Sequence, residues 1–400
     1  MTLINRALSL ALALSPAIAG AQRQLMLAKP DAEFSEPFSI ISGVRELKDG
    51  RVIVSDSKEK TLQLLDFRAG ASKISREGSG PGEWLLPNGI AALPGDSTAI
   101  WDGGNRRYLL LGPDAKPVRE FRLEPPEGLP RNGYGAFSAT TPRGIDEKGN
   151  IYFQGSPFIE GPDGMTTADT IPVLRFNRAR QRPETVAYVR PQQGAASVKP
   201  GPGGRGFNIT NGLGNPLVPS DTWAALPDGR VVVLRGDTYR VDIYSDRRAV
   251  QGAAVLYEKL PVNAAMKAML EAERKQMMSG GSTRSRPGGS GGGDAVLQGL
   301  IAEQVKALTN MEPWPEYAPA FRQYSAMTRH AGAASQVWVL RTRRSDSDSV
   351  HYDVLDISGR LAARVTMAPK SRVIAFGNGT AYVTRTDDDD LQHLQRYRLP

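Results

Sequence analysis

Residues 78–112 read GSGPGEWLLPNGIAALPGDSTAIWDGGNRRYLLLG. Gly78 to Gly82 puts three glycines and a proline into five residues, the density of a phosphate-binding loop. A Walker-type loop needs Gly-Lys-Ser/Thr and then a helix. Here Glu83 and Trp84 follow, and the chain runs on as strand-like sequence toward a Pro94–Gly95–Asp96 turn. The stretch is therefore read as a connector between sheets, with its glycines reversing the chain, and no nucleotide is expected at it.

The same grammar returns along the chain. Apolar runs at 44–67, 90–112, 143–155 with its continuation at 171–181, 223–248, 335–360 and 373–399 each pass through an Asp-Gly, Gly-Asp, Asn-Gly or similar tight turn into a second run rich in Val, Ile, Tyr or Trp. Such turns tolerate positive φ and join twisted antiparallel strands. Alternating stretches such as TLQLLDF (61–67) and YRVDIYS (239–245) fit half-buried strands. Six units of about four strands describe an all-β ring, the β-propeller. The sixth unit stops one strand short at Pro400, and QRQLML at 22–27 is the free strand expected to complete it.

The 78–112 stretch resembles the six-bladed β-propellers of the NHL-like class, found in exported bacterial proteins. The pattern is Gly-x-Gly-Pro-Gly-Glu-aromatic, a proline shortly after, a strand, a tight turn, and Asp-x-x-Asn before the next strand. Residues 78–105 carry it, and 201–229 look like an expanded, degraded copy. The resemblance spans 23–400 through the repeat count. It implies a propeller serving either binding or, as on related propellers, calcium-dependent lactonase or lyase chemistry at the central channel.

Composition narrows these options. The 400 residues contain no cysteine, which excludes disulfides, thiolate metal sites, a cysteine nucleophile and a lipobox. The opening MTLINRALSLALALSPAIAGA has a basic start, a short apolar core and small-x-small cleavage motifs. It is read as a signal peptide over 1–21, too short to span a membrane. The domain is then 22–400, in the periplasm or secreted, as a monomer with no membrane span. The net charge of +8 is spread along the chain, so no nucleic-acid partner is expected.

In a propeller blade, the turns after first and third strands lie on one face, and the remaining connections on the other. The first set is short throughout. The second holds 77–88, 124–135, 155–170, 191–220, 258–318, 342–349 and 386–391. Long connections in compact domains are usually functional or disordered, so function is expected on that face. Its largest insertion, 258–318, reads as two helices (263–278, with Asn263 as N-cap, and 294–308) joined by a glycine-serine linker. Trp84, Arg106, Arg107 and Trp314 are the binding residues expected there, because Trp and Arg dominate contact energetics.

Catalytic signals are thin. His330, His351 and His393 sit at strand ends with no reason to converge, and no complete Glu–Asn–Asp set for a lactonase-type calcium site can be picked out. Asp387–Asp390 could hold Ca²⁺ and equally reads as a solvated turn. Asp56, Asp102 and Asp237 recur after second strands, which predicts a repeated turn-capping role. The expected function is binding of a protein, peptide or glycan without a cofactor. The alternative is a calcium-dependent hydrolase or lyase.

Overall fold

The computed structural model describes residues 23–122, 142–155, 158–161, 164–177, 180, 182–191, 196–200, 207–211, 215–246, 248–280, 311, 313–329 and 335–400. The segment 1–21, the second expected helix and His330 lie outside them.

The second strand of each blade is apolar without alternation because both its faces are covered. Val52–Asp56 and Thr98–Asp102 are buried at every position, whereas the fourth strands Gly70–Lys73 and Arg248–Gln251 are exposed at every position. Burial is thus greatest on the second strands and falls away to the outermost fourth strands, as stacked blades require.

Blade one is Ile41–Glu46, Val52–Asp56, Thr61–Asp66 and Gly70–Lys73. Blade two is Pro87–Ala92, Thr98–Asp102, Arg107–Leu111 and Pro117–Arg122, and blade three is Pro142–Ile145, Ile151–Gln154, Ile171–Asn177 and Arg182–Val189. Blade four follows as Thr222–Ala225, Val231–Arg235, Arg240–Ser245 and Arg248–Gln251, and blade five as Phe321–Arg329, Gln336–Arg341, Val350–Asp356 and Leu361–Met367. Blade six is Ser371–Phe376, Thr380–Thr386 and Gln392–Arg398. The six first strands touch one another in sequence, and the last touches the first, so they form a closed inner ring. The protein is a six-bladed β-propeller.

Its core is divided among the blade interfaces. One apolar cluster lies between each pair of successive blades, for example Leu47, Ile53 and Leu62 against Ile100, Leu109 and Leu111 between blades one and two. Buried tyrosine hydroxyls tie blades together. Tyr152 donates to Gly229 O at 3.0 Å, Tyr239 to Asp353 at 2.6 Å and Tyr382 to Glu46 at 2.8 Å, while Tyr352 accepts from Val373 N at 3.0 Å. Glycines fit the tight turns as the sequence implies, with φ of +85° at Gly50 and +88° at Gly229.

The ends of the chain meet, but with a different strand from the one expected. Ala32–Glu33 pairs antiparallel with Gln392–Arg398 and completes blade six. Phe34 and Phe38 anchor it in the cluster between blades six and one. Arg23–Leu27, expected in that place, instead lies parallel to Leu361–Met367 as a fifth, outermost strand of blade five. The reason lies in the side chains: Leu25 and Leu27 face apolar partners between blades five and six, while Pro30 cannot donate to a ladder and so separates the two strands.

Candidate functional site

The connections after second and fourth strands all leave at one end of the channel, and the aspartates at that end hold them. Asp56 accepts from Ser39 N (2.7 Å) and Ile40 N (3.2 Å) of the incoming chain, and from Lys58 N and Glu59 N of its own turn. Asp102 does the same for Leu85 N, Leu86 N and Asn105 N, and Asn105 Nδ2 donates to it at 2.6 Å. The capping expectation holds for these two. Asp237 instead pairs with Arg190 at 3.1 Å, and Asp221 takes over the tether in blade four by accepting from Arg190 N and Gly236 N. From blade four on, arginine occupies the Asp56 position: Arg235, Arg341 and Arg385, each facing a carboxylate.

The glycine loop resembles an anion cradle because it is one, filled from within. The Glu83 carboxylate accepts from Gly80 N at 2.8 Å and from Arg76 Nε at 2.5 Å. Those two bonds, the backbone one foremost, hold its carboxyl below the usual glutamate range. A Cβ on Gly78 would land on this carboxylate, and one on Gly80 would lie 2.9 Å from it. The glycines therefore make room for Glu83.

The expected contact residues divide in two. Trp84 is 2% exposed, packed between blades one and two, with its indole N–H donating to Lys60 O. Arg107 is 3% exposed and donates to Gly80 O (2.7 Å) and Glu83 O (2.9 Å) while paired with Glu120. Both are scaffold that fixes the loop, which corrects the expectation of ligand-facing side chains. Arg106 is exposed in the turn beside them, with φ of +53°. Trp314 lies half-buried beneath Lys267, whose ammonium is 5.5 Å from the ring centre. The structure does not gather the four into one patch.

Two additions stand on this end. Over blade three, the hairpin Phe158–Gly161/Gly164–Thr167 interrupts the second-to-third strand connection, and the hairpin Ala196–Pro200/Phe207–Asn211 follows the fourth strand. The strand Gly164–Thr167 lies against Ala196–Pro200, so the two hairpins support each other.

Between blades four and five rises the helix Ala264–Gly280, capped as expected by Asn263, whose Oδ1 accepts from Met266 N at 2.9 Å. Met266 and Leu270 pack with Leu217, Leu260, Met311 and Ala318 in a small core of their own. Asn215 Nδ2 donates to Met311 O and Pro313 O, joining this cap to the connection from blade three. Glu273 reaches down to Arg322, 2.8 Å away on the inner strand of blade five, and to Arg343 at 3.9 Å.

The inner strands themselves carry an uneven charge. They contain Arg45, Arg143, Arg322, Arg329 and Arg372 against a single carboxylate, Glu46. Arg45 is buried against Asp96, and Glu46 is taken up by Thr380 and Tyr382. Sequence reading by turns and motifs passed over these arginines.

The opposite face is built of short turns. Between blades three and four it holds a polar cleft of about 290 Å³ lined by Asp146, Lys148, Asn150, Arg175, Asp228, Arg230 and Asp246, among others. Arg175 there donates to Glu184 at 2.8 Å. That bond, helped by Arg180 and Asn177, lowers the Glu184 carboxyl from its ordinary 4.5 to about 2, against a smaller opposing effect of burial. A carboxylate depressed in the folded state stabilises above its unfolded value and loses that contribution as pH falls. Glu184→Gln should therefore flatten the decline in unfolding free energy between pH 4.5 and about 2. Denaturant unfolding across that window checks it, and parallel curves for the two proteins would contradict it.

Among the described residues, no three His, Cys, Asp or Glu side chains come together as a metal centre. Asp387 is engaged with His393 at 2.8 Å and with its own turn, and Asp388 with Lys370. His351 contacts Thr366, and burial lowers its pKa. No described helix is long and apolar enough to cross a membrane.

No family model and no curated protein matches the sequence. Among solved structures, a member of the DUF4221 family from Bacteroides vulgatus is similar at 9% identity, covering 92% of this chain and 96% of that one, with a TM-score of 0.45. A gluconolactonase from Xanthomonas campestris is similar at 10% identity over 90% and 87% of the two chains, with a TM-score of 0.41. A streptogramin B lyase is similar at 11% identity over 92% and 86%, with a TM-score of 0.36.

Proposed function

We propose that this protein is an exported binding propeller that receives a protein, peptide or glycan on the face carrying the hairpins and the helix. One observation supports the reading above the others. Both additions with structure of their own stand at the same end of the channel, and one is anchored by Glu273 to an inner strand. A ring of blades needs neither to close, and long ordered connections on a rigid scaffold are where recognition concentrates.

The absence of cysteine allows a direct test. Single cysteines replacing the exposed Lys58 or Glu271 on the decorated face, or Lys48 on the opposite face, are each coupled to a bulky polyethylene glycol. Partner retention from the extracellular fraction of the source organism is then compared. Labels at 58 and 271 should abolish retention and a label at 48 should leave it intact. The reverse pattern would refute the assignment.

A further inference from the structure

Polar side chains close the seams between neighbouring blades at the decorated end, and one seam is left open. Ser42 and Ser55 of blade one bond each other at 2.9 Å, and Ser42 donates to Pro87 O of blade two at 3.2 Å. Gln154, at the end of the second strand of blade three, accepts from Trp223 Nε1 of blade four at 3.0 Å. In blade two, Asn88 and Trp101 are paired across the first two strands. Trp101 packs into the cluster shared with blade three and is 6% exposed. Neither its indole N–H nor the Asn88 amide has a hydrogen-bond partner among the described residues.

The other buried tryptophans show what Trp101 lacks. Trp84 donates to Lys60 O at 3.0 Å, Trp223 to Gln154 at 3.0 Å and Trp338 to Gln336 at 3.2 Å. An indole N–H withdrawn from water without a partner is unfavourable, and buried tryptophans usually find one.

Gly103 marks where the open donor points. A Cβ there would lie 3.4 Å from Asn88 Nδ2, 3.6 Å from Trp101 Nε1 and 3.7 Å from Leu86 Cδ2. The two nitrogens thus converge on one point beside an exposed apolar side chain. An oxygen at that point is within a few tenths of an ångström of hydrogen-bond reach of both. Gly103 opens the turn 103–106, and Arg106 ends it. In the matching turn of blade one, Lys60 pairs with Glu77 at 2.6 Å. Exposed Arg106 has no ion-pair or hydrogen-bond partner among the described residues. Asp102, between Trp101 and Gly103, is already occupied by four N–H groups and faces Arg107.

We infer that this niche binds the carboxylate of an organic acid with an apolar body, its oxygens accepting from Trp101, Asn88 and Arg106 while the body lies on Leu86. Trp101, Arg106 and the Asn88 amide as it is turned here all present N–H groups, and a carboxylate only accepts. A free acid and the C-terminus of a peptide ending in an apolar residue share this chemistry. The inference names a ligand for the decorated face and rests on the reading of that face as the binding one.

The test uses the folded protein with isotope label at the indole nitrogens of its five tryptophans. Their N–H signals are followed by nuclear magnetic resonance during titration with isocaproate and, separately, with acetyl-Ala-Ala-Leu bearing a free C-terminus. These arms distinguish a free acid from a peptide end. At least one should saturate with one-to-one stoichiometry and move the Trp101 signal, identified by its loss in Trp101→Phe, while the Trp338 signal stays still. The matching amides, which lack the charge, should bind about tenfold more weakly or worse. Gly103→Ala puts a methyl group on the point the oxygen needs. The backbone at Gly103 is not left-handed and every new contact is of ordinary length, so melting should be unchanged while binding falls about tenfold or more. Arg106→Met should weaken binding about tenfold and reduce its salt dependence. Arg360→Met removes a cation from a turn on the opposite face and should leave affinity within about twofold. If Trp101→Phe does not fold, calorimetric titration of Gly103→Ala and Arg106→Met decides.

No binding by either acid, equal binding of the amides, a Trp101 signal unmoved at saturation, or full affinity in Gly103→Ala would overturn the inference. If neither acid binds while the labels at 58 and 271 still abolish partner retention, the decorated face keeps its role and the carboxylate niche fails alone. If the acids bind as described but the label at 48 blocks the partner, the niche stands and the docking face is wrong.

Discussion

Asp102→Ala should destabilise the protein by about 3–5 kcal/mol, the range for removing one member of a buried charged network. Asp102 is wholly buried and accepts from three backbone N–H groups and from the Asn105 amide. Arg107, with Nε 3.8 Å away, would remain buried beside the gap. Asp56→Ala takes the acceptor from a similar set of backbone N–H donors but leaves no buried arginine beside the gap, so it should cost less. The Asp102 change should also release residues 78–86, because Leu85 and Leu86 lose their tether. Denaturant unfolding measures the first effect, and hydrogen exchange at 78–86 the second. A loss below 1 kcal/mol with unchanged exchange would show that the loop holds itself through Glu83 and Arg107 alone.

Truncation separates the two N-terminal strands. A chain beginning at Lys29 loses Leu25 and Leu27 and should remain a cooperative fold, weaker by about 2–4 kcal/mol. A chain beginning at Ile40 also loses Phe34, Phe38 and the Asp31–Arg396 ion pair. Each buried phenylalanine is worth about 3–5 kcal/mol. Their sum reaches the whole stability of an ordinary domain, about 5–15 kcal/mol. The shorter chain should therefore fail to give a cooperative melt. Equal melting of the two truncations would mean that the inner ring alone closes the fold.

The blades were legible because their turns are chemically explicit. Lys48–Asp49–Gly50–Arg51 and Pro227–Asp228–Gly229–Arg230 place a positive-φ residue where the strands must reverse, and no other local structure demands that order. The closing strand was misplaced because Arg23–Leu27 has the better strand composition. Ala32–Glu33 is only two residues long and is held by Phe34 and Phe38, which no alternation reveals.

At the candidate site, residue type misled. Trp84 and Arg107 have the composition of contact residues, but the sequence does not show which side of a tight loop faces inward. A sharper signal was present in the opening motif itself. A glutamate three residues after Gly80 supplies the loop's own anion, which argues against a foreign one. The inner-strand arginines escaped notice because turns and long connections were followed as the signal, and a lone arginine in a short strand carries no turn or motif to mark it.

The meeting of the chain ends also fixes the order in which the molecule can come into being. Synthesis delivers Arg23–Leu27 and Ala32–Glu33 first, yet their partners are Leu361–Met367 and Gln392–Arg398. Until those last residues exist, Phe34 and Phe38 lack the surface contributed by Tyr382 and Leu394, and the gap between blades one and six stays open. Pairings of such sequence separation form slowly and late. These N-terminal strands are thus made early but placed last, and the ring can close only after Gln392–Arg398 has been synthesised.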